Sequence, residues 1–228
     1  VWSVLKFMSI QINYKNKNLK KSTTNLVFFI DENFNISSLK THLSDAEFSY
    51  ISDLLKNSDL KKNILFFEVN SKKTIFLVSV KKDLETSDIE SIGAEFHGYI
   101  NYDKKRDFFI NSDSINNKFE NFLGYFLHGL KLKSYEFNIY KSKKDTKAIS
   151  INIIGNTNKR ITQNELRFKA IEKGTFFARD LVSEPPNVLN PKEYANRLLK
   201  LKKFGIKVTI YNESQMKKLG MHSLLGVG

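Results

Sequence analysis

Two adjacent prolines, Pro185 and Pro186, place the firmest constraint on how this chain can fold. A proline has no N–H to donate and disfavours helical geometry in the residue before it, so a helix that runs towards this point must end there. Helical periodicity precedes the pair over residues 163–182. Asn190-Pro191-Lys192-Glu193 follows it as a second helix start, with Asn190 as the cap, Pro191 in the first turn and Glu193 able to reach back to the cap. A stiff bridge between two helices predicts a domain boundary between about Thr162 and Asn190.

The part of the chain before this boundary alternates between apolar runs and helical patterns. Strands are predicted at Leu26–Ile30, Ile64–Val69, Thr74–Val80, Phe108–Ile110, Tyr135–Tyr140 and Ile149–Ile154. Helices are predicted after the capping box Ser44-Asp45-Ala46-Glu47, over residues 84–98 and over residues 117–130. The alternation predicts an α/β fold whose sheet is flanked by helices, and a turn at Lys72-Lys73 makes that sheet mixed.

A long helix is predicted to connect this domain to the next. Thr162-Gln163-Asn164-Glu165 reads as its capping box. One apolar face is formed by Leu166, Ala170, Gly174, Phe177, Ala178 and Leu181. Glycine within a helix costs about 1 kcal/mol relative to alanine, so Gly174 predicts the close approach of another helix or backbone.

Beyond the prolines the pattern indicates the opening of a second α/β domain. Its first helix is predicted to end at Gly205, a strand is predicted at Ile206–Ile210, and Asn212 is predicted to cap a short helix over 213–219; residues 224–228 would begin another strand or loop. The buried side of the first helix is expected to consist of Tyr194, Ala195, Leu198, Leu199 and Leu201. The predicted domains are therefore 1–160, a linker helix at 161–184, and 185–228.

Composition excludes several classes of protein. The chain has no cysteine, which rules out disulfides and thiolate chemistry. No apolar run approaches the roughly 20 residues that span a bilayer, so no membrane association is predicted and a cytoplasmic location is the simplest interpretation. Val1–Phe7 is too short for a signal peptide, and we interpret it as an upstream read-through before a start at Met8.

The formal net charge of +13 would suit a nucleic-acid partner. The lysines are nevertheless spread along the chain, and the densest clusters, Lys15–Lys21 and Lys141–Lys147, resemble turns or strand ends. A solvated basic surface therefore explains the charge better than a nucleic-acid interface.

The residues around the prolines resemble the leucyl (cytosol) aminopeptidase family. The resemblance is carried by Gly174, Ala178-Arg179-Asp180-Leu181, Glu184-Pro185-Pro186-Asn187, Leu189, Pro191, Gly205-Ile206-Lys207-Val208, Lys217-Lys218-Leu219-Gly220-Met221 and Leu224-Leu225-Gly226-Val227-Gly228. It covers about residues 165–228 closely, and the preceding residues only in general layout.

This resemblance implies an N-terminal macro-like domain, a connecting helix, and a C-terminal domain that hydrolyses the N-terminal residue from peptides with two divalent metal ions, manganese or zinc. It also implies a homohexamer when the protein is full length. The family's metal ligands follow the element that is Gly226-Val227-Gly228 here, so no catalytic, cofactor-binding or metal-binding residue is assigned to this chain, and no metal is expected to bind to it.

Other residues with catalytic potential are better explained structurally. Asp31-Glu32 resembles a turn after a strand, and Asp180 and Glu184 suit helix capping or domain docking. Arg179 and Asp180 are interpreted as an ion pair or cap at the linker rather than as substrate contacts. The four histidines His42, His97, His128 and His222 show no metal-binding spacing, and His97 and His128 are expected at helix ends.

Three functional hypotheses follow. The first is an inactive N-terminal portion of a metal-dependent aminopeptidase with a leucine-type preference. The second is a macro-like module that binds nucleotides or nucleic acid; the chain lacks the glycine-rich ligand loops that this would require. The third is a purely structural role for the N-terminal domain, which would shield the assembled enzyme.

Overall fold

The computed structural model describes residues 10–15, 24–101, 106–115, 121–142, 148–155 and 158–227. The chain divides into two compact units, Val1–Phe176 and Phe177–Gly228. The expected read-through at Val1–Phe7 lies outside the described residues, as do most of the two lysine clusters.

The first unit is built on a six-stranded sheet. Its strands are β1 (Ile10–Lys15), β2 (Asn25–Asp31), β3 (Ile64–Asn70), β4 (Lys73–Val80), β5 (Asp107–Asn111) and β6 (Ile149–Ile154). Their order is β1-β6-β5-β2-β4-β3, and every pair is parallel except the β3–β4 hairpin. The mixed sheet and the hairpin that the sequence predicts are thereby confirmed.

Helices cover both faces of this sheet. They are α1 (Asp45–Lys56), α2 (Thr86–Asn101) and α3 (Phe122–Lys133), with short 3₁₀ turns at Ser37–Thr41 and Ser112–Ser114. The first part of α4 (Asn158–Ser183) packs against α3. The core on the α2–α3 face contains Phe76, Phe96, Phe108 and Phe126, while Phe28 belongs to the core on the α1 face. The central strands are therefore buried on both sides, which explains why they are apolar almost throughout.

In the first unit, one strand assigned from the sequence was wrong and one strand was missed. Residues 135–140 follow α3 as irregular chain and a turn in which Phe137 and Tyr140 contact each other at 5.8 Å, and Ile139 and Tyr140 are exposed. In this segment the rings of Phe137 and Tyr140 pack against each other, and the segment does not join the sheet. Strand β1 was missed because it is an edge strand in which only Ile10 is buried, so its pattern of apolar residues is weak.

Helix α4 presents a different face to the first unit from the one predicted. Phe168 contacts Tyr125 and His128 of α3, with ring centroids 5.1 and 4.9 Å apart, and Phe176 lies 5.2 Å from Tyr135. The predicted face is largely exposed: Leu166, Ala170, Gly174 and Ala178 are exposed, and Phe177 and Leu181 are half-buried.

Two further predictions about α4 were also wrong. A Cβ added at Gly174 would meet no atom of the described residues within 4 Å, so no close approach explains this glycine. The helix begins at Asn158, ahead of Thr162, and the capping box predicted at Thr162–Glu165 therefore does not start it.

The second unit contains α5 (Pro191–Leu199), a 3₁₀ turn at Lys200–Phe204, α6 (Glu213–Lys218) and α7 (His222–Leu225). The starts of α5 and α6 are confirmed, because the side chains of Asn190 and Asn212 accept the expected backbone N–H groups. The strand predicted at Ile206–Ile210 is wrong, since no strand among residues 177–227 is present to hydrogen-bond with it.

No apolar residue of the second unit is buried among residues 177–227, including those on the predicted buried side of α5. Tyr194 is 44% exposed and Phe204 is 69% exposed. Hydrogen bonds in this unit are therefore within reach of water, and few apolar contacts resist their opening.

We expect the amide hydrogens of residues 191–228 to exchange rapidly with solvent in the isolated chain. The reason is the absence of buried apolar contacts, and hydrogen-exchange mass spectrometry measures the rate. The amides of β2 and β4 serve as an internal reference that should exchange slowly. Slow exchange throughout 191–228 would contradict this expectation.

Candidate functional site

The segment around the two prolines is held by a bracket of ion pairs within the second unit. Arg197 of α5 donates from Nη1 to Glu184 Oε1 and from Nε to Glu193 Oε1, both at 3.0 Å. The side chain of Glu184 is only 6% exposed and that of Arg197 18%. Burial alone would lower the pKa of Arg197. The hydrogen bonds that Arg197 donates to Glu193 and Glu184, together with the negative charges of these two carboxylates, outweigh burial and raise the pKa.

Backbone hydrogen bonds also hold the segment around the two prolines. The carbonyl of Pro185 accepts from Val188 N and Leu189 N at 3.0 and 2.9 Å, and the amide of Glu184 donates to Asp180 O at 3.1 Å. The bracket fixes the path of the chain from α4 into α5. Its two carboxylates, Glu184 and Glu193, both accept hydrogen bonds from Arg197, which gives the bracket a structural role.

The bracket corrects one sequence-based assignment. Glu193 was expected to reach back to the cap of α5, but its carboxylate accepts from Arg197 instead. Glu184, interpreted as a capping or domain-docking residue, forms an ion pair with Arg197 in the same unit. Asp31 matches its interpretation as a turn residue, because its Oδ1 accepts from Asn33 N and Asn35 N.

The four histidines have separate environments. His42 Nε2 lies 3.3 Å from Asn111 Nδ2, and His128 Nδ1 lies 2.8 Å from Glu90 Oε1. Burial lowers the pKa of His97, which lies within α2, and His222 begins α7. His97 and His128 are therefore not at helix ends, contrary to the sequence interpretation. Among the described residues no group of three or more His, Cys, Asp or Glu side chains could hold a metal ion.

A polar cluster that the sequence did not reveal lies at the carboxyl ends of β5 and β6. Ser112 Oγ donates to Ile154 O at 2.8 Å, and Asn111 Oδ1 accepts from Asp113 N at 3.0 Å. Gly155 follows β6 with a φ of +124°, and a Cβ there would lie 2.7 Å from Asp113 Oδ1. The run Asn111–Ser114 at the end of a strand was the available signal, but its contact with Gly155 depends on the sheet order.

Comparison with known proteins finds similarity in the second unit. Residues 176–228, which include the bracket, match the model of the cytosol aminopeptidase family, catalytic domain. A probable cytosol aminopeptidase of Agrobacterium fabrum is 41% identical over 108 residues, and one of Rhizobium meliloti is 38% identical over 109 residues. This part of the chain is therefore similar to the catalytic domain of the cytosol aminopeptidase family. Each of these two matches covers 45% of this chain and 22% of the relative, so the chain spans only part of the relatives' length.

Solved structures extend the likeness to the fold of the first unit. A mutant of tomato leucine aminopeptidase superposes with a TM-score of 0.72 over 92% of this chain and 46% of that chain, at 19% identity. The bottromycin maturation enzyme BotP, in complex with Mn, superposes with a TM-score of 0.59 over 86% of this chain and 40% of its own, at 13% identity. The predicted α/β fold is therefore confirmed. Within the described part of the chain, no helix is both long enough and apolar enough to cross a membrane.

Proposed function

We propose that this chain carries the N-terminal domain, the connecting helix and the beginning of the catalytic domain of a metal-dependent aminopeptidase. The observation that carries the proposal is the family match over residues 176–228. The enzyme would remove N-terminal residues, with a leucine-type preference, from peptides. We propose domains at 1–160, 161–184 and 185–228, a homohexameric full-length protein and a cytoplasmic location.

The reaction would use two divalent metal ions, manganese or zinc, which polarise a scissile carbonyl and generate hydroxide near neutral pH. Such a pair requires several carboxylates that converge on one place. The described residues do not fit it, because no suitable group of ligands occurs among them. The proposal therefore assigns the ligands to sequence that follows Gly228, and no chemical step to this chain.

The proposal is tested on a longer chain. The gene sequence after Gly228 should encode a lysine followed closely by a segment that resembles Asp-Ser-Gly-Gly. The chain extended through that region should release leucine from a leucyl amide when manganese or zinc is added, and a chelator should abolish the release. An extended chain without this lysine and without activity would show that the proposal is wrong.

We expect the 228-residue chain itself to show no aminopeptidase activity with either metal. The physical reason is that the residues that the structure describes supply no group of carboxylates able to hold a metal pair. The release of leucine from a leucyl amide measures the aminopeptidase activity, and the extended chain is the positive control. Metal-dependent turnover by the purified 228-residue chain would contradict the expectation.

The net charge of +13 supports a second candidate, a module that binds nucleic acid or nucleotides. Binding of this kind weakens steeply with salt, because each phosphate contact releases a counterion. A salt-sensitive shift of a DNA fragment would support this candidate, and the absence of a shift at low salt would dismiss it.

A further inference from the structure

An open cleft of about 500 Å³ lies in the first unit, at the carboxyl ends of β2 and β4. Crevices at this edge of open α/β sheets commonly hold ligands, and the volume falls within the range of roughly 300–1,000 Å³ found for small-molecule sites. The chain after β2, the chain after β4 and the first turns of α2 supply the walls. The lining includes Asn63, Lys81, Leu84 and Glu95.

The amide of Asn63 holds a positive and a negative group on its two sides. Lys81 Nζ donates to Asn63 Oδ1 at 3.2 Å, and Asn63 Nδ2 donates to Glu95 Oε2, also at 3.2 Å. An ammonium and a carboxylate are thus fixed side by side, with one amide between them. This order of charges is the complement of a ligand that carries a carboxylate next to an ammonium.

The carboxylate of Glu95 is held by a second donor. Tyr99 hydrogen-bonds to it from the next turn of α2, and burial, the Glu95 charge and this hydrogen bond raise the pKa of Tyr99. Glu95 is therefore oriented from two directions before any ligand arrives, which reduces the cost of ordering it on binding. Tyr99 keeps its proton and continues to donate at neutral pH.

Apolar and acidic groups complete the lining. Leu84 supplies apolar surface, and it packs against the buried core that includes Ile92. The lining contains two lysines, Lys81 and Lys82, against four carboxylates, those of Glu32, Asp83, Asp88 and Glu95, although the whole chain is strongly basic. An ammonium-bearing ligand with an apolar side chain matches this combination.

We propose that this cleft binds a free α-amino acid with an apolar side chain. The ligand's ammonium group contacts Glu95, its carboxylate contacts Lys81, and its side chain lies against Leu84. The site lies within the first unit and needs no metal. It goes beyond the proposed peptidase function, and its failure would leave that function untouched.

The test uses the whole 228-residue chain, labelled with ¹⁵N, and leucine as the probe. Leucine should shift the amide resonances of residues 81–84 and 91–95 in a saturable manner. Lys81→Ala and Glu95→Gln should each weaken binding roughly tenfold, because each removes one charge-assisted hydrogen bond. Lys56→Ala is the matched control, since Lys56 is an exposed lysine of α1 that pairs with Asp53, and this variant should bind leucine as the unaltered chain does.

Two ligand analogues test the carboxylate contact and the ammonium contact separately. Leucinamide lacks the carboxylate and N-acetylleucine lacks the ammonium group, so both should bind at least about tenfold more weakly than leucine. Circular dichroism confirms that each variant is folded. Absence of a saturable shift with leucine, equal binding of either analogue, or unchanged binding by folded Lys81→Ala or Glu95→Gln would each overturn the proposal.

Discussion

Gly129→Ala should destabilise the first unit by about 3 kcal/mol, which lowers its melting temperature by roughly 10 °C. The residue lies on α3 where that helix crosses α2. A Cβ built on it would lie 2.6 Å from the carbonyl carbon and 2.7 Å from the Cα of Glu90. These are backbone atoms that no side-chain rotation can move aside, so the two helices must separate.

The crossing depends on a second glycine as well. A Cβ at Gly93 of α2 would lie 2.9 Å from the carbonyl carbon of Phe126 and 3.1 Å from Leu130 N. Separation of α2 from α3 would also pull apart Phe96 and Phe126, whose ring centroids are 5.6 Å apart in the core. A close-packed interior does not absorb such a displacement without loss of contacts.

Gly98→Ala provides the matched control for this prediction. Gly98 lies on α2 too, but a Cβ there would meet no atom of the described residues within 4 Å. Alanine should therefore stabilise the helix by up to about 1 kcal/mol through its better helix propensity. Urea denaturation followed by circular dichroism measures all three chains. A Gly129→Ala chain as stable as the Gly98→Ala chain would show that the helices are not in such close contact.

The sequence predicted best those features that depend on neighbouring residues. The prolines end α4 at Ser183, and Asn190 caps α5, because chain stiffness and hydrogen-bonding groups act within a few residues of one another. The capping box of Ser44 and Glu47 is confirmed for the same reason. The apolar strands were also recognisable, since burial on both faces leaves a continuous apolar run.

Features that depend on distant partners were not predictable. Helix α4 has one apolar stripe through Leu166 and another through Phe168, and only the position of α3 decides which of them is covered. Residues 206–210 alternate as a strand does, but alternation without a neighbouring strand forms no ladder. The cleft likewise joins Asn63, before β3, to Glu95 of α2, a contact that the sheet topology creates.

Lys73→Met should destabilise the first unit by about 3 kcal/mol at neutral pH. Lys73 Nζ lies 2.7 Å from Glu47 Oε1, and the two side chains are only 7% and 16% exposed. The substitution leaves the carboxylate of Glu47 in a poorly solvated place without its cation. Lys72→Met is the control, because Lys72 is the exposed neighbouring lysine, and it should change the unfolding free energy by less than about 0.5 kcal/mol.

A second substitution should restore part of this loss. Glu47 also accepts a hydrogen bond from Ser44 N through Oε2 at 2.9 Å, within the capping box of α1. Glutamine can accept that bond but carries no charge. The double variant Glu47→Gln with Lys73→Met should therefore be more stable than Lys73→Met alone. Two purely additive losses in a double-mutant cycle would show that the charge pair does not couple these residues.

The pH dependence gives this pair an independent signature. Burial on its own raises the pKa of Glu47, but the hydrogen bonds from Lys73 and Ser44 N and the charge of Lys73 outweigh it and lower the pKa below its usual value. A group whose pKa is lower in the folded state contributes stability above its unfolded pKa, about 4.3 for glutamate, and loses it as the pH falls through the folded pKa. The stability difference between the unaltered chain and Lys73→Met should therefore be full at neutral pH and shrink in acid. Urea denaturation at a series of pH values measures this difference in unfolding free energy. If the difference stays constant down to the pH at which the chain unfolds in acid, the ion pair is not its source.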